Sequence, residues 1–182
     1  MAITQPAQPD RSAIRVRPYR EEDREQVRRV FAETVVTVEV TEAARKHWPG
    51  YTDLDDIAGW YQELGGNFWV ATVSHEDPAI GEKVVGITGL KLMTSDPKHG
   101  EVRRVFIDAK YHRLGIGRKL MDETEAWAKL HGYKSVELST NAKNARSNTF
   151  YQTLGYTRLP DNGDTLWNDP ECFPIAYYSK EL

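Results

Sequence analysis

The chain has one cysteine, Cys172, in 182 residues, which excludes an internal disulfide and a cluster of thiolate metal ligands, and fits a reducing compartment. It lacks any unbroken apolar run of about 18 residues, so nothing is expected to cross a membrane as a helix. Residues 1–13 are rich in Pro, Gln and Ala and have no apolar stretch of the signal-peptide kind. These absences predict a cytoplasmic protein with no membrane partner, built as a flexible tail over 1–13 and one domain over 14–182. Positive charge is not in excess: 24 Lys and Arg stand against 27 Asp and Glu, a net charge of −3, so no nucleic-acid partner is expected. The five histidines, His47, His75, His99, His112 and His131, show no paired ligand spacing, and no metal is expected. Neither Ser139 nor Ser147 lies in Gly-x-Ser-x-Gly, which argues against nucleophilic hydrolysis.

What is present is an ordinary globular composition, 40% hydrophobic and 28% charged, with alternating helix-like and strand-like segments. Ile14–Arg17 alternates like a strand. Val27, Val30, Phe31, Thr34, Val35 and Val38 form the stripe of an amphipathic helix. Leu54, Ile57, Tyr61 and Leu64 predict a second helix over 53–64, stopped by Gly65-Gly66. Strands are expected at 67–73 and 83–92, forming a hairpin around Asp77-Pro78, then at 101–107, 135–140, 156–159 and 173–179. A helix over 114–131 should carry Lys119/Glu123 and Glu125/Lys129 pairs across its turns.

The most informative segment is 101–118. Val102, Val105, Phe106 and Ile107 are strand residues, and after them Gly115 and Gly117 flank Ile116 at the opening of a helix. Glycines let a ligand approach the main chain, and free amides at a helix start favour an anion such as a pyrophosphate. This is not a dinucleotide-binding turn, because Leu120 stands three residues after Gly117. Nor is it a P-loop, because Gly-Lys followed by Ser or Thr is missing. A second pattern follows from Asn144 to Tyr156, where Asn144, Ser147, Tyr151, Gly155 and Tyr156 sit on a helix and its stop.

Together, in this order and spacing, the two patterns resemble the GNAT superfamily of N-acyltransferases, closely over about residues 83–159. There an Arg/Gln-x-x-Gly-x-Gly/Ala turn precedes an Asn-x-x-Ala-x-x-hydrophobic-Tyr-x-x-x-Gly-Phe/Tyr helix. The resemblance implies an α/β GNAT fold: a mixed twisted sheet of about seven strands, helices on both faces, and central strands 101–107 and 135–140 splayed apart. It implies acetyl-CoA as co-substrate, with the main chain of Val105, Phe106 and Ile107 along the pantetheine arm. His112, Arg113, Leu114, Gly115, Ile116, Gly117 and Arg118 would surround the pyrophosphate, and Asn144 and Ser147 would lie near the arm. His112 departs from the usual Arg or Gln and Ser147 from the usual Ala. The first departure reduces the side-chain donors available to phosphate.

The resemblance also implies roles for two side chains. Tyr151 falls on the tyrosine that protonates the departing thiolate. Glu101 matches the position of the base in histone acetyltransferases of the superfamily, with Glu137 as the alternative. A base is needed because an alkyl amine of pKa about 10.4 is only about one part in 2,500 neutral at pH 7. The implied function is transfer of acetyl from acetyl-CoA to a primary amine of a small molecule or amino acid, by direct attack in a ternary complex. A protein lysine or N-terminal acetyltransferase and a non-catalytic acyl-CoA-binding module are the alternatives, and self-association as a homodimer is left open. Glu-Val-Arg-Arg and Glu-Leu-Ser-Thr also look like the GNAT subgroup acting on cysteine conjugates or related amino compounds, here without that subgroup's hydrophobic segment. Segments Val35–Tyr61, Met93–Gly100 and Asp161–Glu171 are expected to build the acceptor cleft. Trp48, Trp60 or Trp167 could line it, and Asp53, Asp55, Asp56, Asp161, Asp164, Asp169 and Glu171 could attract a cationic amine.

Overall fold

The computed structural model describes residues 11–37, 52–74, 81–95, 97–168, 170 and 172–182. Val38, Trp48, the Asp77-Pro78 turn, Asp169 and Glu171, all named from the sequence, lie outside the described residues, as do the side chains of Val35 and Trp167. Among the described residues the elements run β1 (Arg15–Pro18), α1 (Arg24–Thr37), α2 (Thr52–Asp55), β2 (Asn67–Ser74), β3 (Glu82–Ser95) and β4 (Lys98–Ile107). Then follow α3 (Ile116–Leu130), β5 (Ser135–Asn141), α4 (Ala145–Thr153), β6 (Thr157–Arg158) and β7 (Ile175–Glu181). The seven strands form one sheet in the order β1-β2-β3-β4-β5-β7-β6. Every pairing is antiparallel except β4 with β5, so the sheet is mixed, as the sequence predicts.

The sheet is apolar on both faces because its inner strands alternate between two cores. Trp69, Ala71 and Val73 of β2 pack with Ile116, Leu120, Met121 and Ala128 of α3. Phe68 and Val70 of the same strand pack with Val27, Val30 and Phe31 of α1, and with Leu54, Ile57 and Tyr61. Asp23 sets the start of α1: its carboxylate takes two hydrogen bonds from Arg17, at 2.7 and 2.9 Å, and one from the Arg20 amide.

Two local expectations are corrected. The helix expected over 53–64 is not continuous: α2 ends at Asp55, and a π-type turn covers Ala58–Gln62. Asp56 turns its carboxylate back to the Gly59 amide at 3.0 Å, a side-chain competitor for the backbone ladder. The wider turn keeps Leu54, Ile57 and Tyr61 buried but moves Leu64 off the stripe, leaving it 53% exposed. The Lys119/Glu123 and Glu125/Lys129 pairs give way to tertiary partners. Lys119 donates to the carbonyls of Arg11 and Ile14, and Glu125 accepts from Lys180 at 2.6 Å. A partner held by the fold costs less entropy than two free side chains meeting on a helix surface.

Candidate active site

β4 and β5 pair over three rungs only, His99 with Ser135, Gly100 with Val136 and Glu101 with Glu137. Beyond them β5 continues to pair with β7 as far as Asn141, and β4 stays on β3 as far as Ile107. Residues 102–107 and 138–141 therefore face each other across a gap with their main chains unpaired on that side. An edge in the middle of a sheet offers donors and acceptors to an extended ligand. The side chains of Val105 and Ile107 pack towards the α3 core, while Phe106 meets Phe31 edge-on at 5.2 Å on the α1 side.

The glycine turn lies just past the end of β4. Gly115 caps α3 in the left-handed conformation, φ +81°, which glycine adopts without strain. The amides of Ile116, Gly117 and Arg118, the first of α3, find no carbonyl partner among the described residues, whereas Lys119 already bonds Gly115. Unpaired donors at the start of a 15-residue helix suit a diphosphate. Gly117 also answers to packing, since a Cβ there would stand 3.0 Å from Phe150. The Arg113 and Arg118 side chains are exposed, and the Arg113 carbonyl takes a hydrogen bond from Arg11 at 3.0 Å.

His112 is committed elsewhere by its ring. Nε2 lies 3.0 Å from the Ile107 carbonyl, and Nδ1 lies 3.2 Å from Nη1 of Arg146 on α4. A guanidinium only donates, so Nδ1 accepts and Nε2 carries the proton to the carbonyl. The ring thus ties the end of β4 to the first turn of α4, and the His112 amide donates to the Ala109 carbonyl at 3.3 Å, so the anion is left to the amides that follow it in the turn. Asn144 caps α4, its Oδ1 accepting from the Ser147 amide at 3.1 Å. Tyr151, 7% exposed, packs its ring on Tyr156 and Tyr178. Tyr178 is the partner of Leu138 at the gap's β5 edge. Burial pushes the Tyr151 phenol well above its ordinary value; like any phenol it carries its proton at neutral pH, and the shift makes it a weaker acid.

On the face opposite α3 the last paired rung brings the two candidate bases together. Glu101 is flanked by Arg103, Nε to Oε2 3.7 Å, and Glu137 by His99, Nε2 to Oε2 3.3 Å. His99 Nδ1 also reaches Ser135 Oγ at 2.7 Å. Tyr177, on the same face of β7, donates to Asp164 at 2.9 Å. Partial burial and that bond raise the Tyr177 phenol above its ordinary value, and the charges of Glu101 and Glu137 add to the effect.

The acidic residues expected to draw in an amine are mostly engaged. Asp53 is 3% exposed and holds Arg104 through two bonds, at 2.9 and 2.6 Å, and Tyr61 through one at 2.6 Å. Burial opposes its charge, but the Arg104 hydrogen bonds outweigh it and keep the carboxyl below its ordinary range. Asp55 lies 3.4 Å from Arg28, and Asp161 accepts from the Gly163 amide. Arg103, Arg104 and His99 are the residues the sequence reading passed over. The signal for the two arginines is adjacent like charges between Val102 and Val105, a break in the two-residue alternation of the kind a bulge accommodates. At that bulge Arg104 and Val105 oppose Thr88 alone, and Arg104 takes φ +57°.

The model of the acetyltransferase (GNAT) family matches residues 24–156, which span both strands of the gap, the glycine turn and α4. The chain belongs to the GNAT family. Human N-acetyltransferase 8 is 31% identical over 135 residues, covering 68% of this chain and 56% of that protein. N-acetylaspartate synthetase of Danio rerio is 30% identical over 115 residues, 63% of this chain and 38% of the relative. The matches thus span about half the length of these curated relatives, or less. Among solved structures, the PaiA N-acetyltransferase of Thermoplasma acidophilum in complex with coenzyme A superposes with a TM-score of 0.67 at 21% identity, covering 93% of this chain and 99% of that one. The seven-stranded mixed sheet is therefore a GNAT fold. Among the described residues no helix is long and apolar enough to cross a membrane, and no group of three or more His, Cys, Asp or Glu could hold a metal ion.

Proposed function

We propose that residues 14–182 form an N-acetyltransferase domain that moves the acetyl group of acetyl-CoA to a primary amine of a small molecule or amino acid, by direct attack in a ternary complex and without a metal. The observation that carries this reading is the gap between β4 and β5, which ends at the unpaired amides of the glycine turn. Relatives named for small-molecule acetylation support the acceptor class.

Acetyl-CoA supplies the thioester: the amine lone pair forms the C–N bond as the C–S bond breaks, and that electron pair leaves on sulfur. The main chain of Val105, Phe106 and Ile107 aligns the arm as an added strand. The turn from His112 to Arg118 wraps the diphosphate, which the amides of Ile116, Gly117 and Arg118 hold, with Arg113 and Arg118 adding charge, while Asn144 and Ser147 border the arm from α4. Glu101, with Glu137 beside it, takes the proton the amine must lose. Tyr151, protonated at neutral pH as an ordinary phenol is, gives one to the thiolate.

A panel of amines, amino acids and peptides tests the reading, with free CoA measured with and without each acceptor and CoA binding followed by calorimetry. Acceptor-dependent release is expected. Binding without release for any acceptor favours a regulatory module, and no binding heat removes the site.

A further inference from the structure

We infer that Arg103 selects the acceptor by binding a carboxylate, so that the site takes zwitterionic amino acids in preference to simple amines; this deepens the transferase reading above and rests on it. Arg103 and Glu101 stand two residues apart on one face of β4, at the rung where β4 and β5 part. The Arg103 side chain is 31% exposed; Glu101 is its ion-pair neighbour at 3.7 Å, beyond hydrogen-bond distance, and the Arg103 charge also acts on Asp53 at longer range. No described residue accepts a hydrogen bond from its guanidinium, so a half-buried fork of donors stands unfilled, which is costly unless a ligand or water completes it.

The surroundings leave it that way. Arg103 pairs across β3 with Gly89, which offers no side chain. Lys91, opposite Glu101, carries its ammonium over the Trp60 ring at 5.3 Å. Glu137 is occupied by His99, and the nearby carboxylate of Asp53 is taken by Arg104 and Tyr61. What remains is one carboxylate and one planar cation side by side. An α-amino acid presents the complementary pair, its nitrogen and carboxyl carbon about 2.5 Å apart by bond lengths and angles. Its amine would face Glu101, the proposed base, and its carboxylate would meet the guanidinium fork in a bidentate contact that lysine does not reproduce.

The test compares matched acceptors, glycine with glycinamide and L-phenylalanine with 2-phenylethylamine, in wild type, Arg103→Ala and Arg103→Lys. Wild type should prefer the carboxylated member by about 10- to 100-fold in kcat/KM, the worth of a charge-assisted bond. Arg103→Ala should abolish the preference through acceptor KM and leave acetyl-CoA binding by calorimetry unchanged, and Arg103→Lys should restore part of it. Equal use of both members by wild type, or a preference that survives Arg103→Ala, overturns the proposal. If no acceptor releases CoA, the transferase reading fails separately. Calorimetry of L-phenylalanine against the CoA-loaded protein then decides recognition: heat lost in Arg103→Ala supports it, and no wild-type heat or an unchanged one overturns it.

Discussion

The Asp53–Arg104 pair has side chains 4% and 20% exposed and is closed by hydrogen bonds, with Tyr61 and the Phe31 ring completing its shell. One residue earlier on the same strand, Glu101 and Arg103 are 27% and 31% exposed and stand 3.7 Å apart with the fork open. Both pairs lie on the α1 side of β4, so burial and satisfaction separate them, not chemistry. A closed pair fixes the bulge to α2 and belongs to the fold. An open pair at the mouth of the gap keeps its binding capacity for something else.

The largest expected effect comes from breaking the closed pair. Arg104→Ala or Asp53→Ala should cost about 3 kcal/mol in denaturant unfolding, because each leaves its partner buried and charged; a loss below about 1 kcal/mol would erase the contrast. Glu101→Gln should act on the other quantity, lowering kcat/KM about 100-fold with stability unchanged within about 0.5 kcal/mol. A stability loss like that of Asp53→Ala would make Glu101 structural. The pH dependence sharpens the comparison further. The Asp53 carboxyl is depressed in the fold below the ordinary carboxylate range, so its stabilisation is present above the unfolded value and lost as pH falls through the lower folded one. Thermal unfolding of Asp53→Asn should show a flatter acid limb than wild type below about pH 4. The smallest effect is assigned to Arg103→Ala, whose unfolding free energy should stay within about 0.5 kcal/mol of wild type.

Much of the architecture was legible because it is written in local patterns. The 3.6-residue stripe at Val27, Val30 and Phe31, the strand residues before Gly115, and the Asn144 cap each specify structure within a few positions. The glycine turn is read the same way, whereas Tyr151 is a candidate through the motif resemblance. The fates of Asp53, Lys119 and Glu125 were not, because each depends on a partner far along the chain. Asp53 meets Arg104 across 51 residues and Glu125 meets Lys180 across 55. The contrast between Arg103 and Arg104 was equally hidden, since a bulge decides it and the two letters are identical.

Three rungs, with one more bond from the Lys134 amide to the Lys98 carbonyl, stitch the β1–β4 leaf to the β5–β7–β6 leaf at their shared seam, so the seam is where heat should open the sheet first. A strand-like ligand lying along the seam would act as a splint, and mass action would then raise the melting temperature with ligand concentration. Hydrogen exchange should slow most at the amides of 102–107 and 138–141, ahead of any change in the outer strands.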